Sequence, residues 1–194
     1  MNKQLIALTG GIGSGKSLAV KALKDAGYNT LSCDEITADL YKKRKIKLIL
    51  KKLFPTAVKG FFNPVIDRAE ISRIVFNSPK QLKTLTDSIT PLVMQEVIRR
   101  AKILNGTVFV EVPLLFECGY QNRFDGVIVI TRPKDARVKS VMERNNLTEE
   151  QVVARINNQV DYDRLDLTPY LVLENTNCPE DLEQKILSIA KTFN

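Results

Sequence analysis

Short, largely apolar runs punctuate this chain at 4–8, 107–112, 127–130 and 170–173, and 28–32 reads as a further short strand. Runs of this length, rich in Val, Ile and Leu, are typical of strands buried on both faces of a parallel sheet. Between them apolar positions recur every three or four residues, the period of an amphipathic helix. The pattern predicts helices over 17–26, closed by Gly27, over 41–54 with Ile46, Ile49, Leu50 and Leu53 on one face, and over 67–76 with Ile71, Ile74 and Val75 inward. Another helix begins with Glu35-Ile36-Thr37-Ala38. One that starts at Ser78-Pro79 carries Leu82, Leu85 and Ile89, is interrupted at Thr90-Pro91, and resumes over 92–104. Pro133 leads into a helix through Glu143, and Thr148-Glu149-Glu150-Gln151 reads as a capping box for a helix to about Gln159. The stretch 179–193 closes the chain with Leu182, Ile186, Leu187 and Ile189 inward. Strands alternating with helices predict an α/β fold, a doubly wound, parallel, five-stranded sheet. Residues 35–105 show no clear strand and read as helices inserted between strands of that sheet, over one edge of the site, with 55–64 a turn-rich break.

The first strand runs into Gly10-Gly11-Ile12-Gly13-Ser14-Gly15-Lys16-Ser17, a full match to the phosphate-loop template G-x-x-x-x-G-K-[ST]. The strand before it and the helix after it supply the context the motif needs. Successive backbone N–H groups converge on one anion, and the helix N-terminus adds a partial positive charge. Gly11, Ile12, Gly13, Ser14, Gly15, Lys16 and Ser17 are the candidate nucleotide-phosphate ligands. In this motif the lysine reaches the outer phosphates and the serine hydroxyl ligates Mg²⁺. Asp34 follows the second strand, where the ligand crevice of an open α/β sheet lies; taken alone it reads as a helix N-cap. Glu111 ends an apolar strand, either as a metal-side acid or as a structural carboxylate.

Composition narrows the chemistry. With 194 residues the chain has room for one sizeable core. It contains no histidine, which excludes imidazole catalysis and the usual His/Cys zinc sites. The formal net charge is +7, and Lys42, Lys43, Arg44, Lys45, Lys47, Lys51 and Lys52 concentrate part of it. A polyanionic nucleotide suits that sign, and so does a plain solvated helix face. Aromatic residues are only 7% and show no aromatic-basic pattern, so no nucleic-acid partner is expected. Cys33, Cys118 and Cys178 are scattered and odd in number, and neither a signal peptide nor a membrane span is expected; a cytoplasmic protein is the expectation. No Asn-Lys-x-Asp guanine motif occurs.

Beyond the loop, the chain carries Asp34 with Ile36 and Ala38, Ile66-Asp67-Arg68, Ile74-Val75-Phe76, Val112-Pro113-Leu114-Leu115-Phe116-Glu117, Arg144 followed by Leu147-Thr148-Glu149-Glu150, and Arg155-Ile156 with Gln159. In this order the chain resembles the dephospho-coenzyme A kinase family over nearly its whole length. The resemblance implies a nucleoside-monophosphate-kinase-like fold of the phosphate-loop NTP hydrolase type. It implies ATP-dependent phosphorylation of the ribose 3′-hydroxyl of dephospho-coenzyme A, the last step of coenzyme A biosynthesis, with Mg²⁺ accompanying ATP. Within one kinase domain it implies a core of 1–34, 106–142 and 168–194, a mainly helical substrate region over 35–105, and a lid over 143–167. Lys16, Asp34 and Arg144 are then the expected catalytic residues, and Ser17 the metal ligand. Thr9, Asp34, Leu114, Phe116, Arg155 and Gln159 are expected at the substrate or lid. Another small-molecule or nucleoside-monophosphate kinase of the same fold is the alternative. Members of the family usually have His-Pro where this chain has Thr90-Pro91, Gln and Arg where it has Arg137 and Ser140, Asp where it has Asn145, and Asp-Ala-Asp where it has Ser32-Cys33-Asp34.

Overall fold

The computed structural model describes residues 3–60, 62–176 and 178–193, and of Phe76 the backbone only. The elements are β1 (Leu5–Thr9), α1 (Lys16–Asp25), β2 (Asn29–Ser32), α2 (Cys33–Leu40), α3 (Arg44–Leu53), β3 (Val58–Lys59), β4 (Val65–Ile66), α4 (Arg68–Phe76), α5 (Pro79–Lys102), β5 (Val108–Glu111), β6 (Gly126–Thr131), α6 (Lys134–Asn145), α7 (Glu149–Asn157), β7 (Leu171–Glu174) and α8 (Pro179–Ala190). The chain divides into two compact units, Met1–Ser32 with Arg100–Asn194, and Cys33–Arg99.

The first unit is built on a five-stranded sheet in the order β2-β5-β1-β6-β7. Every pairing in it is parallel. Its inner strands are apolar at successive positions because both faces are covered: Ile6, Ala7, Leu8, Val108, Phe109, Val110, Ile128, Val129 and Ile130 are wholly buried. On one face α1 and α8 contribute Ala19, Leu23, Leu182, Ile186 and Ala190 to the same core. Each such Leu or Ile contributes about 1.5–3 kcal/mol on burial. Phe109 is gripped edge-on by Tyr28 and Phe193, with ring centroids 5.5 and 6.2 Å away. A smaller cluster joins α6 to α7 through Val138, Val141 and Val152.

The second unit is mainly helical. Cys33, Ile36 and Leu40 form the buried stripe of α2, and Ile46 and Leu50 that of α3. The lysines of α3 lie off that stripe, Lys45 and Lys52 exposed and Lys47 and Lys51 half-buried, as on the solvated side of a packed helix. Asp67 caps α4, accepting the Glu70 N–H at 3.0 Å.

Three expectations need correction. The turn-rich break at 55–64 leads through a small antiparallel ladder of β3 and β4, too short to register as a period-2 pattern. The helix expected to break at Thr90-Pro91 runs unbroken as α5, with Pro91 inside it. An interior proline costs about 3 kcal/mol relative to alanine, and the buried stripe of Ile89, Val93, Met94 and Val97 that crosses it offsets that loss. Asp34 is not an N-cap: β2 ends at Ser32, α2 begins at the next residue, and Asp34 lies within its first turn. Among the described residues no helix is long and apolar enough to cross a membrane.

Candidate active site

The phosphate loop joins the C-terminal end of β1 to α1, with β5 on one side of β1 and β6 on the other. The Ser14 N–H closes its turn onto the Gly11 carbonyl at 3.1 Å. Lys16 folds back so that Nζ donates to the carbonyl oxygens of Gly10 at 2.7 Å and Gly11 at 3.1 Å. The start of α1 carries no capping side chain, as suits a helix end that receives an anion.

The loop is held from outside. Asn175, buried just beyond β7, donates Nδ2 to the Ser14 carbonyl at 2.8 Å and its N–H to the Thr131 carbonyl at 2.9 Å. Arg132 Nη1 donates to the Gly13 carbonyl at 3.1 Å. The Ile12 side chain packs into the cluster between α6 and α7, and its N–H donates to Gln159 Oε1 at 2.7 Å.

Glu111 ends β5 opposite Leu8 of β1 and Ser32 of β2, and its carboxylate accepts the Ser17 hydroxyl at 3.3 Å. A hydroxyl and a carboxylate side by side at a strand end fit the Mg²⁺ implied by the motif. That ion takes oxygen ligands and is commonly held by one or two carboxylates, with phosphates and water completing its shell. Among the described residues there is no cluster of three or more acidic or cysteine side chains that would hold a metal alone.

A further wall comes from 116–170. The Thr9 and Tyr162 hydroxyls stand 3.3 Å apart, and Phe116 packs against Tyr162 and Tyr170 at centroid distances of 6.0 and 5.2 Å. Burial pushes the Tyr162 phenol up to about 12. Glu117 accepts the Val160 N–H at 3.0 Å through Oε1, while Oε2 is buried with no hydrogen-bond partner. Burial raises the Glu117 carboxyl, opposed by N–H hydrogen bonds and the Lys16 ammonium.

A raised folded-state pKa means that protonation favours folding. The stability carried by the acid form is complete below the unfolded carboxyl pKa and is lost as pH rises through the folded one. Glu117→Gln keeps an acceptor for Val160 and abolishes the charge. It is expected to raise the melting temperature at about pH 8, with the gain vanishing toward about pH 4. Thermal melts across that range check this; a variant whose deficit grows with pH contradicts it.

The sequence-predicted residues fall into groups. The loop residues from Gly11 to Ser17 share one neighbourhood in the first unit with Thr9, Phe116 and Gln159. Leu114 lies in the half-buried turn that follows β5. Arg155 is in the last turn of α7. Gln159 lies beyond the end of α7, which stops at Asn157 and not at about Gln159 as its pattern predicts. The capping box that starts α7 is present, with Thr148 and Gln151 satisfying each other's N–H groups. Arg144 is in the last turn of α6, exposed, with Nε donating to the neighbouring Asn145 Oδ1 at 2.8 Å. Asp34 belongs to the second unit. Sequence reasoning overlooked Tyr162 and Asn175, whose side chains meet Thr9 and Ser14 more than 100 residues away and leave no local signal.

A phosphate loop at the centre of an all-parallel sheet, its serine beside a strand-end carboxylate, defines a phosphate-loop nucleotide-binding protein of the α/β class. The dephospho-CoA kinase family model matches residues 4–180, and the chain belongs to that family. Dephospho-CoA kinase of Thermus thermophilus is 37% identical over 189 residues, covering 95% of this chain and 89% of the relative. A crystal structure from Thermus thermophilus is 34% identical with a TM-score of 0.85, covering 100% of both chains. The structure of dephospho-CoA kinase from Campylobacter jejuni is 27% identical with a TM-score of 0.68, covering 98% of this chain and 96% of that one.

Proposed function

We propose that this enzyme transfers the γ-phosphoryl group of ATP to the ribose 3′-hydroxyl of dephospho-coenzyme A, forming coenzyme A and ADP in the last step of coenzyme A biosynthesis, in the cytoplasm. The observation that carries this reading is the family match across 4–180, together with an intact phosphate loop in its strand–helix setting. Phosphoryl transfer needs little covalent chemistry from the protein; positioning and charge stabilisation supply the rate. The loop N–H groups and Lys16 hold the phosphates, and Ser17 with Glu111 holds the metal. Mg²⁺ bound with ATP neutralises charge on the phosphate oxygens. Asp34 orients the acceptor hydroxyl or accepts its proton. Arg144 neutralises the group in flight. Thr9, Leu114, Phe116, Arg155 and Gln159 face the acceptor or the closing segment. In this reading 35–105 is the substrate region and 143–167 the lid over a core of 1–34, 106–142 and 168–194.

The test incubates the protein with ATP, Mg²⁺ and a panel of acceptors, with ADP release followed in a coupled assay and products weighed by mass spectrometry. One phosphoryl group on dephospho-coenzyme A is the expected result; transfer only to a nucleoside monophosphate or another alcohol overturns it. In the same assay Asp34→Asn is expected to lower turnover at least tenfold, a loss of about 1.4 kcal/mol of transition-state stabilisation, with an unchanged melt. Near-normal turnover in that variant removes Asp34 from the mechanism.

A further inference from the structure

Arg137, in the first half of α6, is a buried cation with no anion. It is only 6% exposed, and its Nε has no hydrogen-bond partner. Among the described residues its side chain makes no ion pair and no hydrogen bond. Leaving a guanidinium desolvated and unpaired costs several kcal/mol. A helix position that imposes such a cost, when an apolar residue would pack there freely, points to an anion that arrives from outside.

The location identifies the anion. A Cβ built on Gly11 would collide with Arg137 Nη1, and Cζ lies 3.3 Å from the same point. The guanidinium therefore lies directly over the loop backbone at Gly11, beside the Tyr162 ring. Lys16 Nζ is bound to the carbonyl of that same residue at 3.1 Å and to that of Gly10 at 2.7 Å. Two cations thus converge on Gly11. In a phosphate loop the lysine marks the end of the site where the outer phosphates lie. A planar guanidinium presents a fork of donors that matches phosphate oxygens two at a time. Glu117 is the carboxylate of this patch; its Oε1 accepts the Val160 N–H, and its Oε2, although it has no hydrogen-bond partner, forms no ion pair with Arg137.

We propose that Arg137 binds the terminal phosphate of the nucleotide, completing with Lys16 a two-cation clamp at Gly11. It selects a triphosphate over a diphosphate. The inference rests on a nucleoside triphosphate being the phosphoryl donor, and does not depend on which acceptor is used.

The experiment is calorimetric titration of the full chain, with Mg²⁺, by a non-hydrolysable ATP analogue and by ADP, for the parent, Arg137→Met and Arg137→Lys. Loss of one charge-assisted phosphate contact is expected to weaken binding of the analogue by about 10- to 100-fold in Arg137→Met. ADP affinity should stay within about threefold, since no terminal phosphate is present to lose. Arg137→Lys, which keeps the charge without the fork, should fall between. The melting temperature of nucleotide-free Arg137→Met should be equal to or above that of the parent, because an unpaired buried charge is gone. Equal weakening for both nucleotides, or a lower nucleotide-free melt with the analogue-to-ADP ratio unchanged, makes Arg137 a structural residue and overturns the proposal. Should the methionine variant fail to fold, an unchanged ratio in Arg137→Lys also overturns it. A parent that binds the analogue yet leaves dephospho-coenzyme A unmodified would refute the acceptor and leave this assignment intact.

Discussion

Arg144→Ala is expected to lower turnover by about 10³-fold or more, while the melting temperature moves by no more than about four degrees. The separation follows from where the residue sits. Arg144 is exposed in the last turn of α6, and the hydrogen bond recorded for it joins Nε to the side chain of the next residue, Asn145. The helix ends immediately beyond, at Asn146 with a left-handed φ of 51°. Removing a cation from a helix C-terminus costs about 0.3–1 kcal/mol of stability. A thousandfold loss of rate corresponds to about 4 kcal/mol of transition-state stabilisation. A residue that held the fold would show the two effects in proportion. Turnover with ATP and dephospho-coenzyme A, measured beside a thermal melt, decides the matter. Retained turnover, or a melt lowered by many degrees, would show that Arg144 serves structure alone.

The second large effect is on stability, at Gly10→Ala. An added methyl group there would overlap the main-chain carbonyl of Ile130 and come within 2.7 Å of Ser14 Oγ, and Gly10 itself holds φ at +148°. Ile130 is a wholly buried residue of β6, the strand hydrogen-bonded to β1, so neither backbone has room to retreat. Overpacking and an unfavourable φ together should cost about 3 kcal/mol or more. For a chain of this size that lowers the melting temperature by roughly ten degrees. Gly106→Ala is the matched control. Its φ is +71°, but nothing lies within 4 Å of the added methyl, so the cost should be about 1 kcal/mol. Denaturant titrations of both variants measure the difference. Equal losses would show that the backbone conformation, not the collision with Ile130, governs Gly10.

Elements set by local chemistry were legible in the sequence, and those set by distant partners were not. The strand, glycine-rich loop and helix are contiguous, so spacing alone exposes them. The Thr148 capping box is equally local, and its two hydrogen bonds appear as expected. The path through Pro91 was hidden because the proline signal is local while the buried stripe that overrides it spans several turns. The periodic pattern carries the helix after Thr148 to about Gln159, but α7 ends before that residue and its amide turns to the loop instead. Arg137 stood out in the sequence only as a departure from the usual family residue. That it is buried and unpaired over Gly11 depends on how α6 lies against the loop, which no window of sequence encodes.

The strand order also bears on how the protein is made. β1 and β2 are synthesised before β5, yet they are not neighbours: β5 lies between them, and Leu5 and Asn29 both align with Val108. At roughly 5–20 residues per second, the interval between the end of β2 and the start of β5 is about 4–15 s. For that time both strands have bare hydrogen-bonding edges, the kind that invite pairing with another chain. The β3–β4 ladder within Cys33–Arg99 is synthesised in full before β5. The nascent chain is thus expected to need shielding early, over its first 32 residues, and to bury them only when residues 108–131 arrive.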